Sequence, residues 1–456
     1  MGKRVYCYQN QLQGENKSMY IIDGKSYDLI VCGCGVAGFT AAVQGARAGL
    51  KTAVVERHGM PGGILTVGGN NDIAQFFAHH KQVIRGIGWE YVTRLADAGY
   101  AVIPDKMADG PHWIYGVHVN IPAAAHMIDV MLTEAGVDLY YGQPVAAVET
   151  EKTDTAIHAT GVVIASKEGL RRLSSKVFID CTGDGDAAVY AGAQYECGGE
   201  SEDGFLQPGT IRFYVERLQL PDEVRKNADR ILKEYRQNGI MEPTDLRGQS
   251  FTGLLANRGN NVGHVSGFNA ADSDSRTASE VAGRASVYRL MNALQDAGVP
   301  MDPFPPIEAI APEVAVRESR RILCDGYMTE EKYVSGYEYP DAVCTSFYPI
   351  DLHRHGDNGI RQTFLTDGQI PTVPLSALIV KGIDNMLVAG RCASGDRLAN
   401  SAYRVKASCM AMGQAAAACA AVAIRDGVTI RQADLAKIRT LLREYDAIVT
   451  ASDVTD

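Results

Sequence analysis

The chain has 456 residues, 46% hydrophobic and 21% charged, enough for two globular domains with cores of their own. Lys and Arg number 44 against 54 acidic residues, and the resulting net charge of −10 argues against a nucleic-acid partner or an anionic membrane surface. Ten cysteines lie scattered without Cys-x-x-Cys or Cys/His ligand spacing, so no metal or iron–sulfur site is expected and a reducing, cytoplasmic setting fits.

Residues 1–26 are polar, have no clear period and contain no leader-like apolar segment; they read as an N-terminal tail, with a leading strand open at 20–22. The run 27–32 (Tyr-Asp-Leu-Ile-Val-Cys) reads as a buried parallel strand. Gly33, Gly35 and Gly38 then form G-x-G-x-x-G, with Val36 and Ala37 inside it. Small residues follow at helical spacing (Ala41, Ala42, Gly45, Ala46), and a second apolar strand ends in Glu56. Each part has a job. Gly33 permits the tight turn, Gly35 lets a pyrophosphate approach the backbone, and Gly38 lets the helix pack close to the sheet. The helix N-terminus favours the phosphates, and Glu56 can accept from ribose hydroxyls. Strand, glycines, helix, strand and acid in this order signal a dinucleotide site, without separating FAD from NAD.

The glycine-rich loop 59–69 follows beside that site, where its backbone can lie against a cofactor. Helices are expected at 80–98 and 122–135, the latter opened by proline, and a short strand at 113–119. Strands at 137–141, 145–150, 156–166 and 173–180 read as a β-meander. Gly183, Gly185 and Ala188 imitate a second fingerprint, but no strand–acid unit follows. The better reading is a strand returning to the same nucleotide, with Thr182-Gly183-Asp184 at its end.

From 206 to 371 strands (210–216, 250–255, 261–266) mix with helices (222–237, 273–297), as in an inserted α+β domain. Its polar residues include His264, Asp351, His353, His355 and Arg361. Arg317, Arg320 and Arg321 beside Glu318 read as a strand-face ion-pair set. The stretch 384–392 is strand and glycine turn, 401–424 one long helix, and 431–445 an amphipathic helix. The apolar run 409–424 is short for a membrane span and reads as a buried alanine-rich helix, so no membrane partner is expected.

Taken together these stretches resemble the FAD-dependent oxidoreductases of the glutathione-reductase-type Rossmann superfamily, with its two dinucleotide-binding domains, in the bacterial "FAD-dependent oxidoreductase" branch. The residues that carry the likeness are the fingerprint with Glu56, Pro61-Gly62-Gly63 with Thr66, and the strand ending in Thr182-Gly183-Asp184-Gly185-Asp186. Further on they are Arg317–Arg321, Tyr348-Pro349-Ile350-Asp351-Leu352-His353, 385–391 and Arg404. The resemblance covers residues 27–445. It implies an α/β fold: a tail 1–26, a Rossmann-type FAD-binding domain with β-meander at 27–205, an inserted α+β substrate domain at 206–371, and the domain's return with C-terminal helices at 372–456. It implies one FAD. Gly33, Gly35, Val36, Ala37 and Gly38 would hold the diphosphate, and Glu56 with Arg57 would lie at the ribose. Val145 would reach the adenine side by backbone, while Thr182, Gly183 and Asp184 would close over the nucleotide. Gly63 and Thr66 would lie toward the flavin, and Gly390, Arg391 and the 401–406 helix start would face the pyrophosphate or flavin.

Flavin chemistry needs a proton path besides the cofactor. His353, near neutral pKa, is the first candidate for acid or base; its alternative is to pin a domain junction. Arg404 could hold a substrate carboxylate or stabilise reduced flavin, or simply bridge to an acid. Tyr403 could donate a proton, though packing suits a tyrosine there equally. His79 and His80 could line the pocket or sit on a surface loop. The expected function is hydride transfer between a small polar substrate, a sugar-like alcohol or hydroxy acid, and FAD. The alternatives are an alkene (C=C) reductase and an electron-transfer flavoprotein subunit of a larger complex. A dehydrogenase or oxidase is favoured, and assembly into homo-oligomers stays open.

Overall fold

The computed structural model describes residues 21–154, 156–198, 206–216, 219–257, 261–301, 306–354 and 359–454. His355 lies outside them. Strand β1 (Ile21–Cys32) begins inside the expected tail. Residues 23–26 (Asp-Gly-Lys-Ser) are exposed and carry no apolar side chain, so the pairing of this stretch with the strand ending at Asp180 left no hydrophobic pattern to read. Helix α1 (Val36–Arg47) and strand β2 (Thr52–Glu56) complete the βαβ unit. Strand β3 (Asp138–Tyr141) pairs parallel with β2 and so extends the nucleotide sheet; it is not part of the meander. The meander is β4 (Val145–Lys152), β5 (Ile157–Ser166) and β6 (Gly169–Asp180), antiparallel to one another, with β6 parallel to β1. The sheet order is β3-β2-β1-β6-β5-β4.

Helices α2 (Ile87–Asp97) and α3 (Ile121–Glu134) pack together beside α1. Residues 113–119 are half as extended as expected: a 3-10 turn (His112–Tyr115) precedes the short strand Val117–Val119. His79 and His80 hold positive φ (47° and 63°) in the two-residue turn joining Phe77–Ala78 to Lys81–Gln82, the geometry of a tight hairpin. They face away from the nucleotide side: His80 meets Asp109 at 3.0 Å and His79 packs on Phe347.

The inserted unit has its own core, from Ile211 and Phe213 through Leu290 to Val316. It contains α4 (Asp222–Gln237) and α5 (Ser273–Asp296), with β7 (Gly209–Ile211) paired to β8 (Gly263–Val265). The expected strand at 250–255 is a helix, Phe251–Asn257. Phe251 and Leu254, three apart, are both buried, and three-residue spacing is a helix face. The insert's core ends by Val316. Ile322 and Cys324 join the core under the meander, and Tyr333, Val343 and Ile350 join the core around α1. Most of 320–371, including β9 (Ile350–His353), therefore packs with the nucleotide domain. Strand β10 (Met386–Val388) returns beside Phe178–Asp180 of β6.

The expected single helix at 401–424 is two: α6 (Arg397–Tyr403) and α7 (Lys406–Asp426). Val405 is extended (ψ 153°) and caps α7. No proline or glycine marks the break. Tertiary bonds impose it: Ala407 N donates to Ala74 O at 3.0 Å, and Lys406 Nζ to Asp72 O at 2.6 Å. Helix α7 is long and apolar enough to cross a membrane, but Ala407 through Ala423 are all buried in this fold. It lies on α1 so tightly that a Cβ on Gly413 would come within 2.0 Å of Ala37 O.

Candidate functional site

One cavity opens at the C-terminal ends of β1, β2 and β6, where open α/β sheets place their ligands. Gly33, Gly35, Val36, Ala37, Glu56, Arg57, Gly63, Val145, Thr182, Gly183, Gly390 and Arg391 all line it. Each fingerprint glycine can be read separately. A Cβ on Gly33 (φ +95°) would lie 2.5 Å from Cys181 O, and one on Gly38 would lie 1.8 Å from Gly33 O. Those two are required by the protein itself. A Cβ on Gly35 would meet nothing within 4 Å: it would project into the cavity, so its bareness serves a ligand. Gly35 also caps α1 without any side-chain bond, leaving first-turn N–H groups for an anion. Gly62 N donates to Cys34 O at 2.7 Å and seats the 62–63 turn against Gly35. Glu56, buried, accepts from Cys34 N at 2.7 Å and His58 N at 2.9 Å, which fixes its carboxylate at the end of β2. Nε of Arg391 is buried without a hydrogen-bond partner among the described residues. An open glycine cradle, free helix N–H groups, a fixed acid and an unpartnered guanidinium NH suit an adenosine diphosphate moiety.

Four residues expected at the site, Gly38, Thr66, Asp184 and Tyr403, do not line the cavity. Thr66 donates its hydroxyl to Pro61 O and holds the 61–66 loop closed behind the lining. Asp184 lies behind the cavity wall, accepting from Ser319 Oγ at 2.6 Å and from Nη2 of Arg391 at 2.5 Å. Burial would raise its carboxyl, but Arg391 and Arg276 hold it below the usual range, so it orients Arg391. Tyr403 is wholly buried off the cavity lining, donates to Ala393 O at 3.0 Å, and burial pushes its phenol up, so the structure gives it a packing place. Gly38, expected both to pack the helix and to hold the diphosphate, lies behind the lining and serves the packing. The hydroxyl of Thr182 is spent on Asp180 (2.7 Å), leaving its backbone to face the cavity.

The far end is a polar chamber between the nucleotide domain and the insert. His353 approaches Asp351 at 3.2 Å (Nε2 to Oδ2), and its ring stands at 74° to that of His264, centroids 5.2 Å apart. Arg404, at the α6–α7 break, reaches Asp351 O and Gln207 Oε1, each at 3.3 Å. Arg317 leaves the expected ion-pair set: it donates to Pro208 O (2.6 Å), Asn261 Oδ1 (2.7 Å) and His264 Nε2 (3.2 Å). Arg320 pairs with Asp186, and Arg321 lies 3.5 Å from Glu318, so the ion-pair reading holds for those two. Burial, then the charge of Arg317, lowers His353 to about 4, with Asp351 opposing. Burial would raise Asp351, but His353 and the guanidiniums of Arg404 and Arg317 hold it well below the carboxylate range. Lys406, lowered to about 8 by burial, Asp72 and Tyr348 also line this end. The sequence pointed to His353 and Arg404 and, within the 401–406 helix start, to Lys406. It missed Gln207 and Asp72, which carry no motif, and assigned Arg317 to a strand-face ion-pair set.

The insert closes over the adenosine end through Glu313, which accepts from Arg57 (2.7 Å) and Arg276 (2.8 Å). Burial raises its carboxyl, but His58, Arg57 and Arg276 outweigh this and lower it to about 2. A depressed folded pKa stabilises above the unfolded value of about 4.5 and is lost as pH falls through about 2. Glu313→Gln should therefore cost the apoprotein on the order of 1–3 kcal/mol at pH 7 in urea denaturation. The gap to wild type should close between about pH 4.5 and 2. A gap independent of pH would refute the ionic account.

Among proteins compared with this chain, the family described as FAD dependent oxidoreductase matches residues 28–442. Dihydrolipoyl dehydrogenase of Corynebacterium glutamicum is 28% identical over 158 residues, 32% of this chain and 32% of that protein. The match thus spans about a third of that curated relative's length. Of solved structures, OxyS anhydrotetracycline hydroxylase from Streptomyces rimosus is 14% identical over 92% of this chain and 66% of its own, at a TM-score of 0.42. The THI4 protein of Thermovibrio ammonificans is 18% identical over 39% and 67%, at 0.29.

Proposed function

The chain belongs to the FAD-dependent oxidoreductase family, whose cofactor is FAD, and from that premise we propose that it oxidises a small polar alcohol, passing the hydride of the carbinol carbon to the flavin. The partial match to dihydrolipoyl dehydrogenase supports a glutathione-reductase-type ancestry for the nucleotide domain. FAD, when bound, supplies the two-electron acceptor. The protein does the rest. Gly35 and the first turn of α1 hold the diphosphate, Glu56 the ribose, and the backbone of Val145, Thr182 and Gly183 the adenosine side. Gly390, Arg391 and the start of α7 would face the pyrophosphate or the flavin.

The observation that carries the reading is His353 beside Asp351. A histidine lowered to about 4 is neutral at physiological pH and accepts a proton; it does not donate one. With Nε2–H directed to Asp351, the free lone pair is on Nδ1. The hydroxyl proton passes to Nδ1, the C–H bond breaks with its electron pair leaving to the cofactor, and the C–O bond becomes C=O. An alkene reductase needs a protonated acid here, so the neutral imidazole favours oxidation. Arg404 stabilises negative charge on substrate or reduced cofactor. The test is anaerobic visible spectroscopy of the purified holoenzyme against alcohols, hydroxy acids and amines. Bleaching of the flavin band by alcohols is the expected result. No bleaching by any donor, with reoxidation of the chemically reduced enzyme by enones or enoates, would overturn it in favour of the reductase.

A further inference from the structure

Charge does not balance at the closed end of the cavity. Three guanidiniums, Arg247, Arg317 and Arg404, act on Asp351; Arg404 also feels Glu318, a carboxylate already paired with Arg397. Asp351 is already engaged by His353 at 3.2 Å, and Arg404 stands 3.8 Å from it. Arg317 spends its N–H groups on neutral acceptors, and among the described residues no carboxylate forms an ion pair with Arg317 or Arg247. Arg247 is held in left-handed backbone (φ 49°) beside Leu246 (φ 58°), a conformation that non-glycine residues keep only where their surroundings impose it. Lys406 adds a further cation; its Nζ donates to Asp72 O, and the Asp72 carboxylate opposes its charge. Two donors at the same point have no partner among the described residues: buried Nε of Arg404 and buried Nε2 of Gln207, whose Oε1 accepts from Arg404. Buried cations and orphaned donors are costly, and a ligand that brings the missing anion relieves both.

We propose that the closed end of the cavity binds a carboxylate between Arg317 and Arg404, so that the substrate is a small hydroxy acid and not a neutral sugar-like alcohol. This rests on the alcohol-oxidising reading only for the fate of the bound anion; the carboxylate itself is unchanged by the reaction. The guanidinium fork suits a carboxylate in two-point contact, which fixes the neighbouring carbinol carbon relative to His353. The anion also prepares the base. His353 is faced by Asp351 on its own strand, Arg317, His264 of β8, Arg404 and, beyond them, Arg247 and Tyr348. Adding a negative charge to this set raises the proton affinity of the imidazole, so the base strengthens when substrate is present.

Oxalate has no C–H bond to oxidise and serves as the probe, with neutral oxamide as its isostere. Holoenzyme is titrated with each by calorimetry and by flavin difference spectra. Oxalate should bind saturably and weaken with added NaCl, and oxamide should not bind at the same concentrations. Arg404→Gln and Arg317→Gln should each weaken oxalate by at least about tenfold, with Arg404→Lys restoring part of it. Near pH 6, oxalate binding should take up protons, measured in buffers of different ionisation enthalpy, and His353→Gln should abolish that uptake. Equal binding of oxamide and oxalate, or oxalate affinity unchanged in both glutamine variants, would overturn the proposal. Should either variant fail to fold, the oxalate-to-oxamide ratio in wild type decides alone. Oxalate binding as expected, with no alcohol or hydroxy acid bleaching the flavin, would sink the oxidation reading and leave the anion site standing.

Discussion

Alanine at position 38 is expected to give protein that retains less than about a tenth of the flavin of wild type and melts several degrees lower. The Cβ would stand 1.8 Å from Gly33 O and 3.2 Å from Cys181 Cβ, so α1 must move off the sheet. Overpacking of this kind costs about 1–3 kcal/mol or more, and at about 1.4 kcal/mol per decade any comparable loss in cofactor binding is tenfold or worse. Alanine at position 35 separates the two causes. Its Cβ meets no protein atom, so the apoprotein should melt as wild type does while FAD affinity falls. Calorimetric melting of both apoproteins, with flavin absorbance after reconstitution, reads the difference. Equal apoprotein melting for Gly38→Ala and wild type would show that the helix relaxes more easily than the contact suggests.

Glutamine in place of His353 should slow flavin reduction by the alcohol substrate by about 10²–10⁴-fold while FAD stays bound, since a positioned base contributes on that scale. The amide keeps a donor toward Asp351 but has no basic lone pair. Wild-type reduction rates should fall as pH drops through the His353 pKa in the enzyme–substrate complex, and that limb should vanish in the variant. Stopped-flow reduction across pH tests both. Unchanged kinetics would reassign His353 to holding the junction, where its backbone N already bonds Gln207 Oε1 at 3.3 Å.

The βαβ unit and most of the cavity lining it supplies were legible because each glycine and Glu56 has a local reason that shows in one short stretch. The chamber was legible only in part. His353 and Arg404 stood out by residue type, but Gln207 and Asp72 reach it through long-range folding and carry no local signature. The α6–α7 break was invisible for the same reason: its cause is Asp72 and Ala74, more than three hundred residues away in the chain. Tyr403 shows the converse error. Its neighbour faces the site, and one helical step turned it into the core. Beyond the leading strand open at 20–22, residues 23–26 left no trace because pairing of an exposed backbone needs no apolar side chains.

The insert leaves the nucleotide domain and rejoins it at a single point. Gln207 N donates to Glu318 Oε2 at 2.9 Å, and Arg317 donates to Pro208 O, so the two crossings are stapled side by side. Chain added or removed between such ends changes closure entropy only logarithmically with length. The segment from 209 to 316 is thus a cassette: its contents can drift, or be exchanged for another, without disturbing the register of the host sheet. Because Arg247, His264 and Arg317 come from the cassette and its seam while the fingerprint comes from the host, the chamber can change with the fingerprint untouched, except where Glu313 and Arg276 reach back to Arg57.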